Sequence, residues 1–235
     1  MRIINEGFLY QLTFMPALFP VNCYFIKENN GLTLVDAALP YSAKGIIRAA
    51  ESLGSPIKKI VLTHAHEDHV GALDAIKEKY PDAPVYISAR DARVMDGDYS
   101  LDEQEPKTPI KGGVPKKLKT RADILLKDGD RIGSLTAYAT PGHTPGSMSF
   151  LDERTGTLIA GDALQTRGGA AVAGDLKPWF PFPAFGTWSK ETALESAKKI
   201  SALKPGLLAI GHGEMVKDPV KVIEKAIAHL QQKIG

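Results

Sequence analysis

With 235 residues, 43% hydrophobic and 24% charged, the chain can bury a full core and has the composition of an ordinary globular protein. A formal charge of +2 excludes the strong field that gathers nucleic acid or membrane, and a single cysteine excludes an internal disulfide. No apolar run reaches bilayer length, and Met1-Arg2-Ile3-Ile4-Asn5-Glu6 lacks a basic stretch leading into an apolar core, so a cytoplasmic protein is expected.

Short strands are expected over 8–14 and 21–27, and Glu28-Asn29-Asn30-Gly31 turns a hairpin into Leu32-Thr33-Leu34-Val35. Cys23 lies in the second of these strands and reads as buried packing, not as a nucleophile. Asp36 ends the hairpin; it either orients a metal-bound imidazole or is simply a polar strand end. Ser42 is expected to start a helix with Ile46, Ile47, Ala50 and Leu53 on one face, closed by Gly54. The apolar run Lys59-Ile60-Val61-Leu62-Thr63 reads as a buried strand, and a helix from Gly71 stops near Tyr80-Pro81.

Val85-Tyr86-Ile87-Ser88 reads as a strand, followed by a short helix through Asp91 to Met95. Residues 96–121 are rich in Gly, Pro, Lys and acidic residues: an excursion from a single 1–235 domain, serving as a lid, a dimer arm or a solvated loop. From Ile124 the pattern is β again, with strands over 135–140, 147–151 and 157–160. Pro178-Trp179-Phe180-Pro181-Phe182-Pro183-Ala184-Phe185-Gly186-Thr187-Trp188 reads as an aromatic loop. It is expected to wall a cleft and suit an apolar group, or else to fold onto the core or contact another subunit. Ser189 caps a helix to Leu203, and Leu207-Leu208-Ala209-Ile210 is the last strand. Asp218-Pro219 is expected to supply the N-cap and first-turn proline of a final helix. Two mixed sheets packed face to face, with helices outside, would bury these stripes.

Between the strand at 59–63 and the helix from Gly71 stands His64-Ala65-His66-Glu67-Asp68-His69. Residues two apart in an extended segment point the same way, so His64 and His66 can grip one ion while Asp68 and His69 turn toward a second. Imidazole and carboxylate without thiolate suit zinc. Three later segments set a donor after a strand: His143 in Thr140-Pro141-Gly142-His143-Thr144-Pro145-Gly146, Asp162 in Ala160-Gly161-Asp162, and His212 in Ile210-Gly211-His212-Gly213. The remaining histidine, His229, reads as a surface residue near a helix C-terminus.

Taken together, His-x-His-x-Asp-His, Pro-Gly-His-Thr-Pro-Gly, Gly-Asp and Gly-His-Gly resemble the metallo-β-lactamase-fold hydrolase superfamily over nearly the whole chain. The resemblance implies a four-layer αββα sandwich with two metals in a cleft at one edge. It gives His64, His66 and His143 to one ion, Asp68, His69 and His212 to the other, and Asp162 to both. Two Zn2+ per chain are implied, with Fe, Mn or mixed metals as alternatives; a bridging hydroxide would attack an ester, thioester or lactone. Asp68 is expected to be ligand, hydroxide acceptor and proton shuttle.

The chain departs from the named branches. Cysteine stands at the Asp162 position in common β-lactamases. Glyoxalase II, which the 140–147 stretch resembles, adds a helical domain beyond the His212 loop. Lactonases place a tyrosine where Gln165 stands here; Gln165 at that position, and Trp179, Phe180, Phe182 and Phe185 of the aromatic loop, are the expected substrate contacts. β-Lactam hydrolysis, a phosphodiesterase or nuclease activity and a mononuclear-iron persulfide dioxygenase remain the alternatives, as does a non-enzymatic metal-binding protein. The expected partner is a small-molecule substrate, with a second copy of the chain as a further candidate; neither membrane nor nucleic acid is expected.

Overall fold

A computed structural model describes residues 1–235. Their contacts define two units, residues 1–97 with 114–126, and residues 98–113 with 127–235.

The first unit is built on a seven-stranded sheet whose strands lie side by side in chain order. These are β1 (Arg2–Glu6), β2 (Leu9–Phe14), β3 (Val21–Glu28), β4 (Gly31–Val35), β5 (Ile57–Val61), β6 (Val85–Ser88) and β7 (Ile124–Leu126). The first four form antiparallel hairpins and the rest run parallel to β4. Every residue of β4, Thr33 included, is buried, as in a strand covered on both faces. Parallel pairing needs crossovers, which are α1 (Ala43–Ser52), α2 (Glu67–Val70) with α3 (Leu73–Lys79), and α4 (Ala89–Met95). Because β4, β5 and β6 share a direction, the segments that leave their C-terminal ends all emerge at one edge of the sheet. Asp36, the histidine segment and Asp91 therefore meet there.

The second unit has a six-stranded sheet in the order β15-β14-β11-β10-β9-β8. Its strands are β8 (Arg131–Ile132), β9 (Leu135–Ala139), β10 (Met148–Asp152), β11 (Thr157–Ile159), β14 (Leu207–Ala209) and β15 (Val216–Lys217). A separate ribbon pairs β12 (Leu164–Gln165) with β13 (Ala171–Val172), and the helices are α5 (Phe182–Gly186), α6 (Lys190–Ala202) and α7 (Val220–Ile234). Strands β9 and β11 are both antiparallel to β10, and β14 is parallel to β11, so β9, β11 and β14 also run one way. The segments carrying His143, Asp162 and His212 thus leave one edge of this sheet. The core under α6 and α7 is formed by Leu158, Ala197, Ile200, Leu208, Ile210, Ile223, Ala226 and Leu230, among others. Burying an Ile or Leu there contributes about 1.5–3 kcal/mol each.

Several elements differ from the sequence reading. Arg2–Glu6 is a strand, although Ile3 and Ile4 sit among polar neighbours; it is a half-exposed edge partner whose pairing comes from β2. Ser42 makes no side-chain cap: a 3-10 turn over Pro40–Ser42 leads into α1, and the serine is buried. Gly54, with φ +61 and its N–H on Glu51 O, closes α1 as expected. The helix expected from Gly71 is two pieces, α2 and α3, and His69 lies on the first. A Cβ at Gly71 would stand 2.5 Å from both Glu67 O and Pro40 Cδ, so only glycine lets the chain pass Pro40. Ser189 does cap α6, its hydroxyl accepting from Thr192 N at 3.1 Å. Asp218 does not cap α7; its φ is +48, its N–H bonds Gly206 O, and Pro219 is the residue before the first turn.

Residues 96–123 contain neither strand nor helix. Their first part belongs to the second unit, where the Trp188 Nε1–H donates to Thr108 O at 2.9 Å. Their later part belongs to the first, where Asp74 accepts from Lys119 N and Thr120 N and Arg121 pairs with Asp96 at 2.7 Å. Asp74 is held below the usual carboxylate range: burial would raise it, and the bonds from Thr120 and Lys119 outweigh that.

Candidate metal centre

In the first unit the donors hang on Asp36, which leaves β4 with φ +62 and is buried. Its carboxylate accepts from Thr63 N, from the Thr63 hydroxyl and from His69 Nδ1–H, each at 2.8 Å. Of the two roles open to Asp36, the structure therefore selects the orienting one: this carboxylate sets the histidines. The Thr63 hydroxyl has one proton and gives it to Asp36. At 3.0 Å from His64 Nδ1 it must therefore accept, which assigns a proton to His64 Nδ1 as well. Nδ1 of both rings is thereby committed, which leaves Nε2 as the nitrogen that a metal would take. Their centroids are 4.0 Å apart, and His66 stands 4.7 Å from His64. All three rings are buried, whereas Asp68 is only partly so.

A second carboxylate holds the backbone of this segment. Asp91, wholly buried, accepts from Ala65 N at 2.9 Å, and its own N–H is capped by Ser88 Oγ at 3.0 Å. It fixes the peptide between the two histidines. The sequence reading did not single it out, although its place just beyond a buried strand, three residues after Ser88, was the available signal.

In the second unit Asp162 is the centre. Its Oδ2 lies 3.4 Å from His143 Nε2 and 3.2 Å from His212 Nε2, and all three residues are buried. The Thr187 hydroxyl donates to Pro183 O at 2.7 Å, so at 3.2 Å it accepts from His143 Nδ1–H. That leaves His143 Nε2 as the ring nitrogen facing a carboxylate oxygen. A ring nitrogen and a carboxylate oxygen held this close call for a cation between them, either a proton on the ring or a shared metal ion. Gly142 makes the approach possible: its φ is +137, and a Cβ there would meet Ala193 Cα at 2.3 Å. The His212 loop is clipped by its carbonyl, which accepts from Thr166 N and Arg167 N.

The first unit thus gathers His64, His66, Asp68 and His69 in one short segment, and the second gathers His143 and His212 about Asp162. Nitrogen and oxygen donors without thiolate fit a divalent ion such as zinc. Cys23 takes no part, since burial, with Asp36 nearby, pushes its thiol well above its ordinary value. His229 lies on the surface as expected, but is bonded to Asp175 at 2.7 Å.

The expected substrate contacts divide. The Gln165 amide nitrogen donates to Arg167 O at 2.9 Å and to Phe180 O at 3.2 Å, which commits it to holding backbone. Phe180 is buried with its ring 5.3 Å from that of His212, while Trp179, Phe182 and Phe185 are exposed. The stretch is not wholly irregular, since it contains α5.

Comparison with known proteins gives this arrangement a family. The chain is 56% identical to the uncharacterised protein YobT of Bacillus subtilis (strain 168), over 97% of each chain. It is 34% identical to the probable metallo-hydrolase YflN of the same organism, over 82% of this chain and 80% of that one. A hydroxyacylglutathione hydrolase of Synechocystis is 29% identical over 59% of this chain and 47% of its own. Among solved structures, TTHA1623 in a di-iron-bound form superposes with a TM-score of 0.65 at 25% identity, covering 90% of this chain and 96% of that one. The metallo-β-lactamase DIM-1, at 13% identity, has a TM-score of 0.73 over 99% and 97% of the two chains and shows the shared fold alone. Residues 16–212, a span that contains all seven expected donors, match the metallo-beta-lactamase superfamily, and the chain belongs to that superfamily.

Proposed function

We propose that the chain is a dinuclear zinc-dependent hydrolase that cleaves an ester, thioester or lactone. The observation that supports the reading is the hydrogen bonding of the rings: His64, His69 and His143 are each held by a partner at Nδ1, which leaves Nε2 as the ligand atom. His64, His66 and His143 would hold one ion, Asp68, His69 and His212 the other, with Asp162 shared. Bound zinc supplies Lewis acidity, which activates water near neutral pH and polarises a carbonyl. Asp68, the one donor reachable from solvent, accepts a proton at a carboxylate oxygen and returns it to the leaving group. Buried His66, His143 and His212 exclude bulk water from the donor atoms. The likeness to a hydroxyacylglutathione hydrolase supports an acyl substrate.

The test is a panel run on the zinc-reconstituted chain: p-nitrophenyl butyrate, an acyl thioester, a γ-lactone, nitrocefin and bis-p-nitrophenyl phosphate. Turnover of the first three is expected, abolished by chelation and restored by zinc. Turnover confined to the phosphodiester or to nitrocefin would overturn the substrate class. Oxygen consumption with one iron per chain would overturn zinc hydrolysis.

A further inference from the structure

Four of the large apolar side chains that the second unit exposes lie in one short stretch. Leu176, Trp179, Phe182 and Phe185 are 46%, 89%, 52% and 64% exposed. Water-facing aromatics at this density ask for an occupant. Lys177 is the only charged residue between Leu176 and Thr187, so the occupant's matching part is apolar.

The stretch is held firmly. Phe180 N bonds Lys177 O at 3.0 Å, Phe180 O accepts from Gln165, and Phe185 N bonds Pro181 O at 3.1 Å. At its far end Trp188 N donates to His143 O at 2.9 Å. Its two ends are thus tied to two proposed ligands, His212 through the Phe180 ring and His143 through Thr187 and Trp188. Phe180 also meets Phe182 edge-on at 5.2 Å, which makes a continuous run of rings from His212 to the surface. On α5, Phe182 and Phe185 are three residues apart and share a face.

We propose that this run, Phe180 to Phe182 and Phe185 with Trp179 beside it, seats a linear aliphatic acyl chain of the substrate, so the enzyme prefers medium-length acyl groups to acetyl. The inference rests on the hydrolase reading and narrows its substrate. A preformed surface costs little ordering on binding. A second copy of the chain is the weaker occupant: three aromatics of about 200 Å² each, at these exposures, offer roughly 400 Å², half of the ~800 Å² per partner in a stable interface.

Two measurements on the full zinc-loaded chain test this. First, kcat/KM for p-nitrophenyl octanoate should exceed that for the acetate by about tenfold or more, and F182A/F185A, with zinc content kept, should bring that ratio within about threefold. A flat chain-length profile, a ratio that survives the double substitution, or a change only in oligomeric state would overturn the inference. Second, octanoate but not acetate should shift the emission of exposed Trp179 to the blue, and Trp179→Phe should abolish the shift, leaving only buried Trp188. This binding readout stands even if no ester is cleaved, an outcome that would sink the hydrolase reading alone; no shift would sink the acyl seat.

Discussion

A proton on Nδ1 determines what His64, His69 and His143 can do. The sequence displays the imidazoles, but not which nitrogen of each is occupied; that depends on Thr63, Asp36 and Thr187, whose roles appear only when the strands end side by side. Asp36→Ala removes the acceptor that holds His69 directly and His64 through Thr63. Zinc affinity should fall by about 10–100-fold, read by competition against a chelating dye. Unaltered affinity would mean that the carboxylate only ends a strand. Asp68→Asn keeps a donor oxygen but cannot take a proton, so kcat should drop by about two to four decades with metal retained. Full turnover by the zinc-loaded variant would remove Asp68 from proton transfer.

Among the elements, strand direction does the positioning. Parallel β4, β5 and β6 deliver Asp36, the histidine segment and Asp91, and co-directional β9, β11 and β14 deliver His143, Asp162 and His212. Apolar runs ending in polar residues made these strands legible, and the glycines beside His143 and His212 marked their loops. Capping was less legible. Ser189 formed its bond, while Asp218 gave its backbone to Gly206 instead, a partner 12 residues earlier that no local pattern predicts. Gly142→Ala should lower the melting temperature by about 6–12 °C, from roughly 3 kcal/mol of clash with the Ala193 backbone. A normal melting temperature would show that this loop yields easily.

The C-terminal helix offers a pH test at the same scale. Buried Asp175 bonds Lys233 at 2.6 Å, His229 at 2.7 Å and Lys177 at 2.9 Å. Burial would raise its carboxyl, but these hydrogen bonds prevail and hold it below the usual range. The native group therefore binds its proton less readily than the unfolded one. Its stabilisation is fully present above about pH 4 and is lost as pH falls through the lowered native value. Asp175→Asn should cost about 2 kcal/mol at pH 7, or roughly 4–8 °C, and a shrinking difference below pH 4. An equal deficit at pH 7 and pH 3 would assign the effect to packing.

For the molecule as a whole, composition excluded more than it identified. Near-neutral charge argued against nucleic acid, and no helix is long and apolar enough to cross a membrane. The fold class followed from mixed strand and helix patterns, and the structure has two mixed sheets with helices. The aromatic stretch was visible from its composition, yet its division into buried Phe180 and exposed Trp179, Phe182 and Phe185 needed three-dimensional partners. The distribution of donors is the most informative global feature: five imidazoles and two carboxylates, each beyond the end of a strand.

Metal stoichiometry tests this most directly. Metal-free protein titrated with zinc, and assayed by mass spectrometry under native conditions, should take up two ions per chain. Asp162→Ala, which removes the shared oxygen, should hold fewer. Saturation at one ion or none in the parent chain would contradict a dinuclear centre.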